Sequence, residues 1–470
     1  MLTPNDPDVQ LLHAWIDSHE NEIISALQGV LRIPSVKGEA APNAPFGLAC
    51  RQALDYTLSL CSTLGFRTKD VDGYAGHAEF GEGPAYVGAL GHLDVVPEGE
   101  GWTDPPYSAV LKDGYLYARG SSDDKGPTYA ALFAAKALLD SGLPLKNRVR
   151  LIFGCDEESG FGCVHHYFEV AKEERPILGF TPDAGFPLVY AEKGIVNLIF
   201  EKALPQSENG LRITQAHGGL RPNMVPEHAE ALLVGPQDAL AQAAATLDSY
   251  WDRNVTLIPT ADTLKVIAHG KSAHGARPTL GDNAVARLAR ALATLELPDT
   301  EVWLDWIAAT VDATGQALGI AHTDDVAGPL TCNLGILETT ETKVRLTYNI
   351  RYPVTWNKEA LVEANKALRE KEGWTLAEVH DQPPLYVPLD QEPVATLLRI
   401  YRENTGDMES QPTTMGGGTY ARATPYTVAY GAGFPHSQDG PAHEQDERIA
   451  VATILNAAKI YAQAFYEMAK

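Results

Sequence analysis

The stretch VGALGHLDVVPEGEGWTDPPYSAVLKDGYLYARGSSDDKG, residues 87–126, joins a buried strand to a polar loop that opens a helix. The apolar run 87–90 is typical of a buried strand, and His92 and Asp94 follow it two positions apart, on one face of the strand end. The loop GSSDDKG, residues 120–126, leads into an apolar helix. Imidazole and carboxylate groups at such positions suit a divalent metal. On its own, an HxD pair more often marks a structural histidine held by an aspartate.

The pattern around this stretch predicts the domain organisation. Strands expected at 67–71, 77–80, 87–90, 149–153 and 177–180 alternate with helices expected at 8–31, 47–64 and 128–139. This alternation predicts an α/β fold with a mostly parallel sheet flanked by helices. After residue 193 the pattern becomes mixed, which predicts an inserted α+β domain ending at the proline-rich hinge 381–384. We expect residues 1–192 and 385–470 to form the main domain and residues 193–384 the insert.

Composition limits the classes of partner. The chain has 470 residues with 37 basic and 61 acidic side chains, a net charge of −24. Binding to nucleic acid or to an anionic membrane requires clustered Lys and Arg, so neither partner is expected. The sequence has no apolar run long enough to span a bilayer.

The cysteines indicate the compartment. Cys50, Cys61, Cys155, Cys163 and Cys332 are odd in number and form no CxxC pair, so we expect neither a disulfide framework nor a zinc–thiolate site. The first residues show no secretory signal pattern, and a cytoplasmic protein is therefore expected.

Other acidic and imidazole residues stand at similar positions. Glu157 and Glu158 belong to an acidic run that follows a predicted strand, and Asp183 follows the next one. In a parallel sheet these positions meet His92 at the carboxyl edge, where ligands bind. His443 lies near a predicted helix start. Taken singly, each residue is also compatible with a solvated turn or a capping role.

Taken together, these residues fit a dinuclear centre. His92, Asp123, Glu158, Asp183 and His443 supply two imidazoles and three carboxylates. Such a set suits two divalent ions about 4 Å apart, bridged by one carboxylate and a water or hydroxide. Asp94 would hold His92 in its tautomer, and Glu157 would act as the general base.

The motifs GHLDVVPEG, RGSSDDKGP, DEESG, TPDAGFP and AHEQDE resemble, in order and spacing, those of the co-catalytic zinc metallopeptidases. That family includes carboxypeptidase G, acetylornithine deacetylase, succinyl-diaminopimelate desuccinylase and aminoacylase. The segments GGLRPNMVPEHA, GKSAHGARP, NIRYP and GGGTYAR look most similar to the PepV-type bacterial dipeptidases.

The resemblance implies roles for the metal-site residues. His92 and Asp183 would hold one metal ion, Glu158 and His443 the other, and Asp123 would bridge them. The peptide bond between Asp123 and Asp124 would be cis. Zinc is the first expectation for both ions, with manganese or cobalt as alternatives, since oxygen-rich donor sets accept these metals too.

The resemblance also implies that the insert is a lid that closes over a small peptide substrate. His274 would stabilise the oxyanion, although alone it reads as a loop histidine. Asn223, Arg351 and the backbone amides around Gly417 and Gly418 would bind the substrate carboxylate. Because the long insert would supply His274 in the same chain, a competent monomer is expected, and a homodimer remains open.

The implied function is a metal-dependent dipeptidase acting on dipeptides with free amino and carboxyl termini. Two alternatives stay open at this point. One is an N-acyl-amino-acid deacylase of the same family, and the other is a catalytically inactive metal-binding scaffold protein. The presence of Glu157, Glu158 and His274 disfavours the scaffold.

Overall fold

The computed structural model describes residues 1–2, 4–204, 210–295, 297, 304, 307, 311–340, 342–371 and 373–470. These residues form two compact units. Unit 1 comprises Met1–Ala191, Leu385–Thr414 and Gly418–Lys470, and unit 2 comprises Glu192–Pro384 and Met415–Gly417. The short segment 415–417 joins unit 2 because the Met415 carbonyl accepts a hydrogen bond from the Lys193 amide at 3.0 Å.

The N-terminal part of unit 1 alternates helices and strands. Its helices are α1 (Pro7–Ser18), α2 (Glu20–Leu31), α3 (Leu48–Thr63), α4 (Lys125–Ser141) and α5 (Gly162–His165), the last extended by a π-helical turn (His166–Val170). Its strands are β1 (Arg67–Val71), β2 (Ala75–Phe80), β3 (Tyr86–His92), β4 (Val110–Lys112), β5 (Tyr115–Tyr117), β6 (Arg148–Gly154), β7 (Leu178–Thr181), β8 (Ala184–Gly185) and β9 (Val189–Glu192).

Unit 2 is built mainly from long strands. They are β10 (Gly194–Ala203), β11 (Arg212–Gly218), β12 (His228–Val234), β13 (Val255–Pro259), β14 (Thr263–His269), β15 (Thr323–Asp324), β16 (Gly328–Pro329), β17 (Thr331–Thr339), β18 (Lys343–Tyr352) and β19 (Thr375–Gln382). The helices of unit 2 whose bounds are described are α6 (Gln237–Asp248), α7 (Ala284–Leu292) and α8 (Lys358–Lys371), with a 3₁₀ turn at Pro278–Leu280.

The chain then returns to unit 1. The remaining elements are β20 (Leu385–Tyr386), α9 (Val394–Thr405), β21 (Thr413–Met415), a 3₁₀ turn (Tyr420–Ala423), β22 (Thr427–Ala429), β23 (Ala432–Gly433), β24 (Arg448–Ala450) and α10 (Val451–Ala469). Among the helices whose residues are described, none combines the length and apolarity needed to cross a bilayer.

The main sheet of unit 1 is parallel at its centre. Its strand order is β1-β2-β6-β3-β7-β22-β9-β20. Strand β3 pairs in parallel with β6 and β7, and β7 pairs in parallel with β22. Antiparallel strands continue the sheet on both sides, as in the β1–β2, β2–β6 and β9–β22 pairs. The predicted α/β fold is confirmed, with the parallel pairing confined to the four central strands.

The core of unit 1 surrounds β3 and α4. All seven residues of β3 are buried, as its unbroken apolar pattern predicts for a central parallel strand. Helix α4 packs against β3 and α10 and is buried on nearly all sides. Gly91 allows this close approach, because a Cβ there would lie 2.0 Å from the Thr128 Oγ1. The packing fixes the end of β3 next to the start of α4.

The single helix predicted over residues 8–31 is instead two helices that meet at His19. The Trp15 carbonyl lies 2.7 Å from the His19 Nδ1, and the His19 backbone N–H donates to the Ile16 carbonyl at 3.1 Å. The side chain therefore occupies the acceptor that a continuous helix would use for this N–H. Neither glycine nor proline marks the break in the sequence.

The main sheet of unit 2 is antiparallel, in the order β13-β14-β12-β11-β17-β18-β10-β19. Burial alternates along β12 and β14, as expected for a sheet with one covered face. Helix α7 packs against β12 and β14, and α6 against β13 and β14. Unit 2 thus has its own hydrophobic core.

Candidate metal centre

Three strands deliver polar residues to one edge of the unit 1 sheet. His92 is the last residue of β3, the acidic run 156–158 follows β6, and Asp183 follows β7. Since β3 is parallel to both neighbours, the carboxyl ends of all three strands lie at the same edge. The loops before α4 and before β24 carry Asp123 and His443.

Four of the predicted residues form a continuous set of contacts. The His92 Nε2 lies 3.1 Å from the Asp123 Oδ1, and the Asp123 Oδ2 lies 2.9 Å from the His443 Nε2. The same His443 nitrogen lies 3.0 Å from the Glu158 Oε1. Asp123 therefore stands between the two imidazoles, each of its oxygens facing one ring.

Asp183 and Glu157 form a second group of donors with His92. One donor atom from each of His92, Glu157 and Asp183 falls within 4.8 Å of the others, and the same holds for His92, Asp123 and Glu158. Two overlapping groups of donors thus share the His92 imidazole. The structure brings together all six predicted ligand and base residues of this centre.

Asp94 connects His92 to the acidic loop. The His92 Nδ1 lies 2.9 Å from the Asp94 carbonyl and 3.6 Å from its Oδ1. The buried Asp94 carboxylate accepts hydrogen bonds from the amides of Glu157 at 3.1 Å and Glu158 at 3.2 Å. One side chain therefore orients both the imidazole and the loop that carries the two glutamates.

The charges of this centre perturb one another strongly. Burial raises the pKa of Glu157 and of Asp183 well above their ordinary values, and the charge of Glu157 adds to the effect on Asp183. Hydrogen bonds with Asp123 and then Glu158 raise the pKa of His443 to about 10. Burial lowers the pKa of His92, but hydrogen bonds with Asp123 and Asp94 outweigh it and leave the pKa well above its usual range.

The donor set fits bound divalent metal. The centre holds more carboxylates than imidazoles, and its carboxylates are in direct contact with both rings. Bound cations would take the place of protons and offset the repulsion between these negative charges. Nitrogen and oxygen donors of this kind match zinc, manganese or cobalt.

The sequence reasoning missed Glu447, whose carboxylate holds the Asp123 loop through hydrogen bonds. Its buried carboxylate accepts hydrogen bonds from the amides of Gly120 (3.0 Å), Ser122 (2.8 Å) and Asp123 (3.1 Å). It also accepts one from the Arg119 Nη1 at 2.7 Å. Glu447 lies in the AHEQDE segment with His443, so its motif was visible in the sequence, but an acid in an acidic run gives no sign of burial.

Asp124 is a second residue that sequence reasoning left unassigned. Its Oδ2 accepts hydrogen bonds from the His92 amide at 3.2 Å and from the Thr128 hydroxyl at 2.8 Å. Burial raises the pKa of this carboxyl to about 7. The peptide bond between Asp123 and Asp124 is cis, as the family resemblance predicted.

The predicted substrate-binding residues fall mainly in unit 2. The Arg351 guanidinium is buried and donates to the Gly416 carbonyl at 3.0 Å. His274 lies opposite Met224 in an isolated β-bridge, and the Gly275 amide donates to the Asn223 carbonyl at 2.7 Å. Unit 2 therefore places the backbone of Asn223 beside that of His274.

The two predicted glycines are both tightly packed. A Cβ at Gly417, in unit 2, would lie 2.9 Å from the Met415 Cε. One at Gly418, in unit 1, would lie 2.4 Å from the Arg422 guanidinium. A side chain at either position would displace a neighbour.

Comparison with known proteins identifies similar chains over the full length. A Bacillus subtilis (strain 168) protein named "Putative dipeptidase YtjP" is 40% identical over 463 residues, covering 96% of this chain and 98% of that protein. A Staphylococcus haemolyticus protein named "Putative dipeptidase SH1171" is 36% identical over 465 residues, with coverages of 96% and 98%.

One solved structure has a similar fold over the whole chain. The crystal structure of human carnosine dipeptidase 1 superposes with a TM-score of 0.58 at 16% identity, covering 99% of each chain. Residues 88–467 match the family model described as "Peptidase family M20/M25/M40". This range includes every residue of the centre from His92 to His443. The sequence motifs, the edge of the sheet at which they meet and this match agree that the chain belongs to the peptidase family M20/M25/M40.

Proposed function

We propose that this protein is a metal-dependent dipeptidase that hydrolyses dipeptides with free amino and carboxyl termini. The observation that carries the proposal is the contact set of His92, Asp123, His443 and Glu158 beside Glu157 and Asp183. The names of the two relatives, at 40% and 36% identity over 96% of this chain, support dipeptides as the substrate class.

The proposed ligand set follows the contacts of the centre. His92 and Asp183 would hold one divalent ion, Glu158 and His443 the other, and Asp123 would lie between them. Zinc is proposed as the metal, with manganese and cobalt as substitutes. Two bound divalent cations supply Lewis acidity, which polarises the scissile carbonyl and makes water easier to deprotonate.

The remaining steps belong to the chain itself. Glu157 takes a proton from the attacking water and later passes it to the leaving amine. The pKa of Glu157, raised by burial, supports this role, because a more basic carboxylate accepts a proton more readily. The Asp94 carboxylate holds Glu157 by accepting a hydrogen bond from the Glu157 backbone amide. The Asp94 carbonyl contacts the His92 Nδ1 and so keeps this nitrogen turned away from the centre.

Unit 2 is proposed to supply the groups that recognise the substrate. His274 would donate a hydrogen bond to the oxyanion that develops as water attacks. Asn223, Arg351 and the amides around Gly417 and Gly418 would bind the substrate carboxylate, for which the planar Arg fork is well suited. Since one chain carries both sets of groups, a monomer is proposed to be active.

The same proposal extends to the compartment. Cys50, Cys61, Cys155 and Cys163 are buried free thiols, which suits a reducing environment such as the cytoplasm. A small peptide substrate is the proposed partner.

The central experiment combines metal analysis with a substrate panel. We expect purified protein to contain close to two divalent ions per chain and to hydrolyse L-Ala-L-Ala. Chelation should abolish this activity, and zinc, manganese or cobalt should restore it. Rapid turnover of N-acetyl amino acids without turnover of dipeptides would contradict the substrate class and favour a deacylase.

A substitution tests the mechanism separately. Glu157→Gln keeps the size of the side chain but removes the base, so kcat should fall by about 10²-fold or more with metal content unchanged. Glu169→Gln, at a surface ion pair with Arg175, is the matched control and should retain full activity. Hydrolysis that survives in Glu157→Gln would refute the assigned base.

A further inference from the structure

A row of three asparagines crosses the main sheet of unit 2. Asn197 on β10, Asn349 on β18 and Asn333 on β17 are register partners on three neighbouring strands. Asn333 and Asn349 are each only 2% exposed. Buried amides in a sheet core cost stability unless they are hydrogen-bonded, so the contacts they make require an explanation.

Two of the asparagines, Asn349 and Asn197, hold the side chain of Arg351. The Arg351 Nε donates to the Asn349 Oδ1 at 2.9 Å, and the Asn349 Nδ2 donates to the Asn197 Oδ1 at 2.7 Å. A guanidinium can only donate, so the Asn349 oxygen must face Arg351 and its nitrogen must face Asn197. The orientation of both amides therefore follows from the guanidinium of Arg351, which has donors only.

The other end of the row fixes a loop. The Asn333 Nδ2 donates to the carbonyls of Pro222 at 2.9 Å and Met224 at 2.8 Å. Residues 223–225 in turn pair with 273–275, through the Gly275 amide to the Asn223 carbonyl (2.7 Å) and the Val225 amide to the Ala273 carbonyl (2.8 Å). Asn333 thereby holds the segment that carries Asn223 and, through it, the segment that carries His274.

We propose that this asparagine row is a positioning device that sets the substrate-recognition groups of unit 2 before substrate arrives. The proposal rests on the dipeptidase function above and adds Asn197, Asn333 and Asn349 to the residues on which that function depends. Asn349 and Asn197 aim the guanidinium that binds the substrate carboxylate. Asn333 sets the paired segments of Asn223 and His274. Preorganised groups lose less conformational entropy on binding, which is why their supports affect affinity and rate.

Variants of Asn349 and of Asn333 should have different kinetic effects. Asn349→Leu removes the acceptor of the Arg351 Nε, so KM for L-Ala-L-Ala should rise about 10-fold or more while kcat stays within about 3-fold. KM for L-Ala-L-Ala amide, which lacks the carboxylate, should change by less than about 3-fold. Asn333→Leu releases the His274 segment, so kcat should fall about 10-fold or more for both substrates.

Matched variants distinguish positioning from a loss of folding. Thr347 is a buried residue on the same face of β18, two positions before Asn349, and Thr347→Val should leave both KM values within about 2-fold of wild type. Asn197 is only partly buried, so its variants should fold even where Asn349→Leu does not. Asn197→Leu removes the acceptor of the Asn349 side-chain amide and should raise KM by an intermediate factor.

The outcomes separate this inference from the proposed function. A wild-type protein that cleaves no dipeptide would refute the function and the inference together. An active wild type whose Asn349→Leu variant has the KM of Thr347→Val would refute only the asparagine row. So would equal losses on the acid and the amide substrate, or an Asn197→Leu variant with the wild-type KM.

Discussion

The two units bury charge in different ways. Among the described residues of unit 1, the buried acidic, basic and histidine side chains are His13, His77, Glu79, His92, Asp94, Arg119, Asp124, Lys125, Arg150, Asp156 and Glu447. The corresponding residues of unit 2 are Glu192, Asp252 and Arg351. Taking a charge out of water costs several kcal/mol unless partners compensate it. Part of that cost in unit 1 falls at the candidate metal centre, where His92, Asp94, Asp124 and Glu447 are buried, whereas unit 2 buries few such groups.

The difference shows which groups are fixed by charge and which by amides. In unit 1 the Asp123 loop is held by the ion pair of Glu447 and Arg119, 2.7 Å apart. In unit 2 the single buried guanidinium of Arg351 is held by neutral amide and carbonyl oxygens. The comparison can be tested by removing one support or charge at a time.

Replacement of Glu447 should have the largest effect. One carboxylate oxygen accepts from Arg119 and the Gly120 amide, and the other from Ser122 and the Asp123 amide. Glu447→Gln sets an NH₂ group against donors on one side and leaves buried Arg119 unpaired, which should cost about 3–5 kcal/mol. Urea denaturation of the metal-loaded protein measures this free energy. A loss below about 1 kcal/mol would show that the ion pair does not hold the loop.

Metal removal should have the next largest effect, and it should be local. Saturating metal at about 100 times its dissociation constant stabilises the bound state by about 2.7 kcal/mol. Hydrogen exchange after chelation should therefore accelerate at residues 92–94, 120–124, 157–158 and 443–447, where the acidic groups are left to repel one another. Residues 255–269 of unit 2 serve as the internal control and should keep their protection. Uniform acceleration in both units would contradict a centre confined to unit 1.

The pH dependence of stability should come largely from buried histidines of unit 1. Burial lowers the pKa of His13 and of His77 to about 4, below their ordinary value near 6.5. Between pH 6.5 and 4 the unfolded chain therefore binds more protons than the folded one, so stability is full above pH 6.5 and falls as the pH drops. Each histidine should contribute about 1–2 kcal/mol to this fall, discounted for partial exposure.

The histidine prediction has a direct check. His13→Leu should reduce the loss of stability between pH 7 and pH 4.5, as measured by denaturation midpoints at the two pH values. His165→Gln, at an exposed position of the same unit, should leave the pH dependence unchanged. A His13→Leu variant with the full wild-type loss would show that this histidine does not cause it.

The sequence was sufficient for features that depend on local pattern. The uniform apolar run before His92 predicted a buried central strand, and the acids after β6 and β7 predicted the edge at which they meet. The asparagine row could not be predicted, because Asn349 and Arg351 alternate with apolar residues like the exposed face of a strand. The structure shows that both residues are nevertheless buried. The burial of Glu447 could not be predicted either, because its hydrogen-bond partners lie more than 300 residues away in the chain.

The smallest effect should be found at an exposed ion pair of unit 2. The Lys343 Nζ lies 2.8 Å from the Glu201 Oε2, with side-chain exposures of 56% and 21%. Solvent screens this pair, and holding two long side chains in one geometry costs entropy, so Lys343→Met should cost less than about 1 kcal/mol. The methionine keeps the apolar stem, which separates the charge from the packing. Urea denaturation that shows a loss as large as that of Glu447→Gln would mean that burial does not distinguish the ion pairs of the two units.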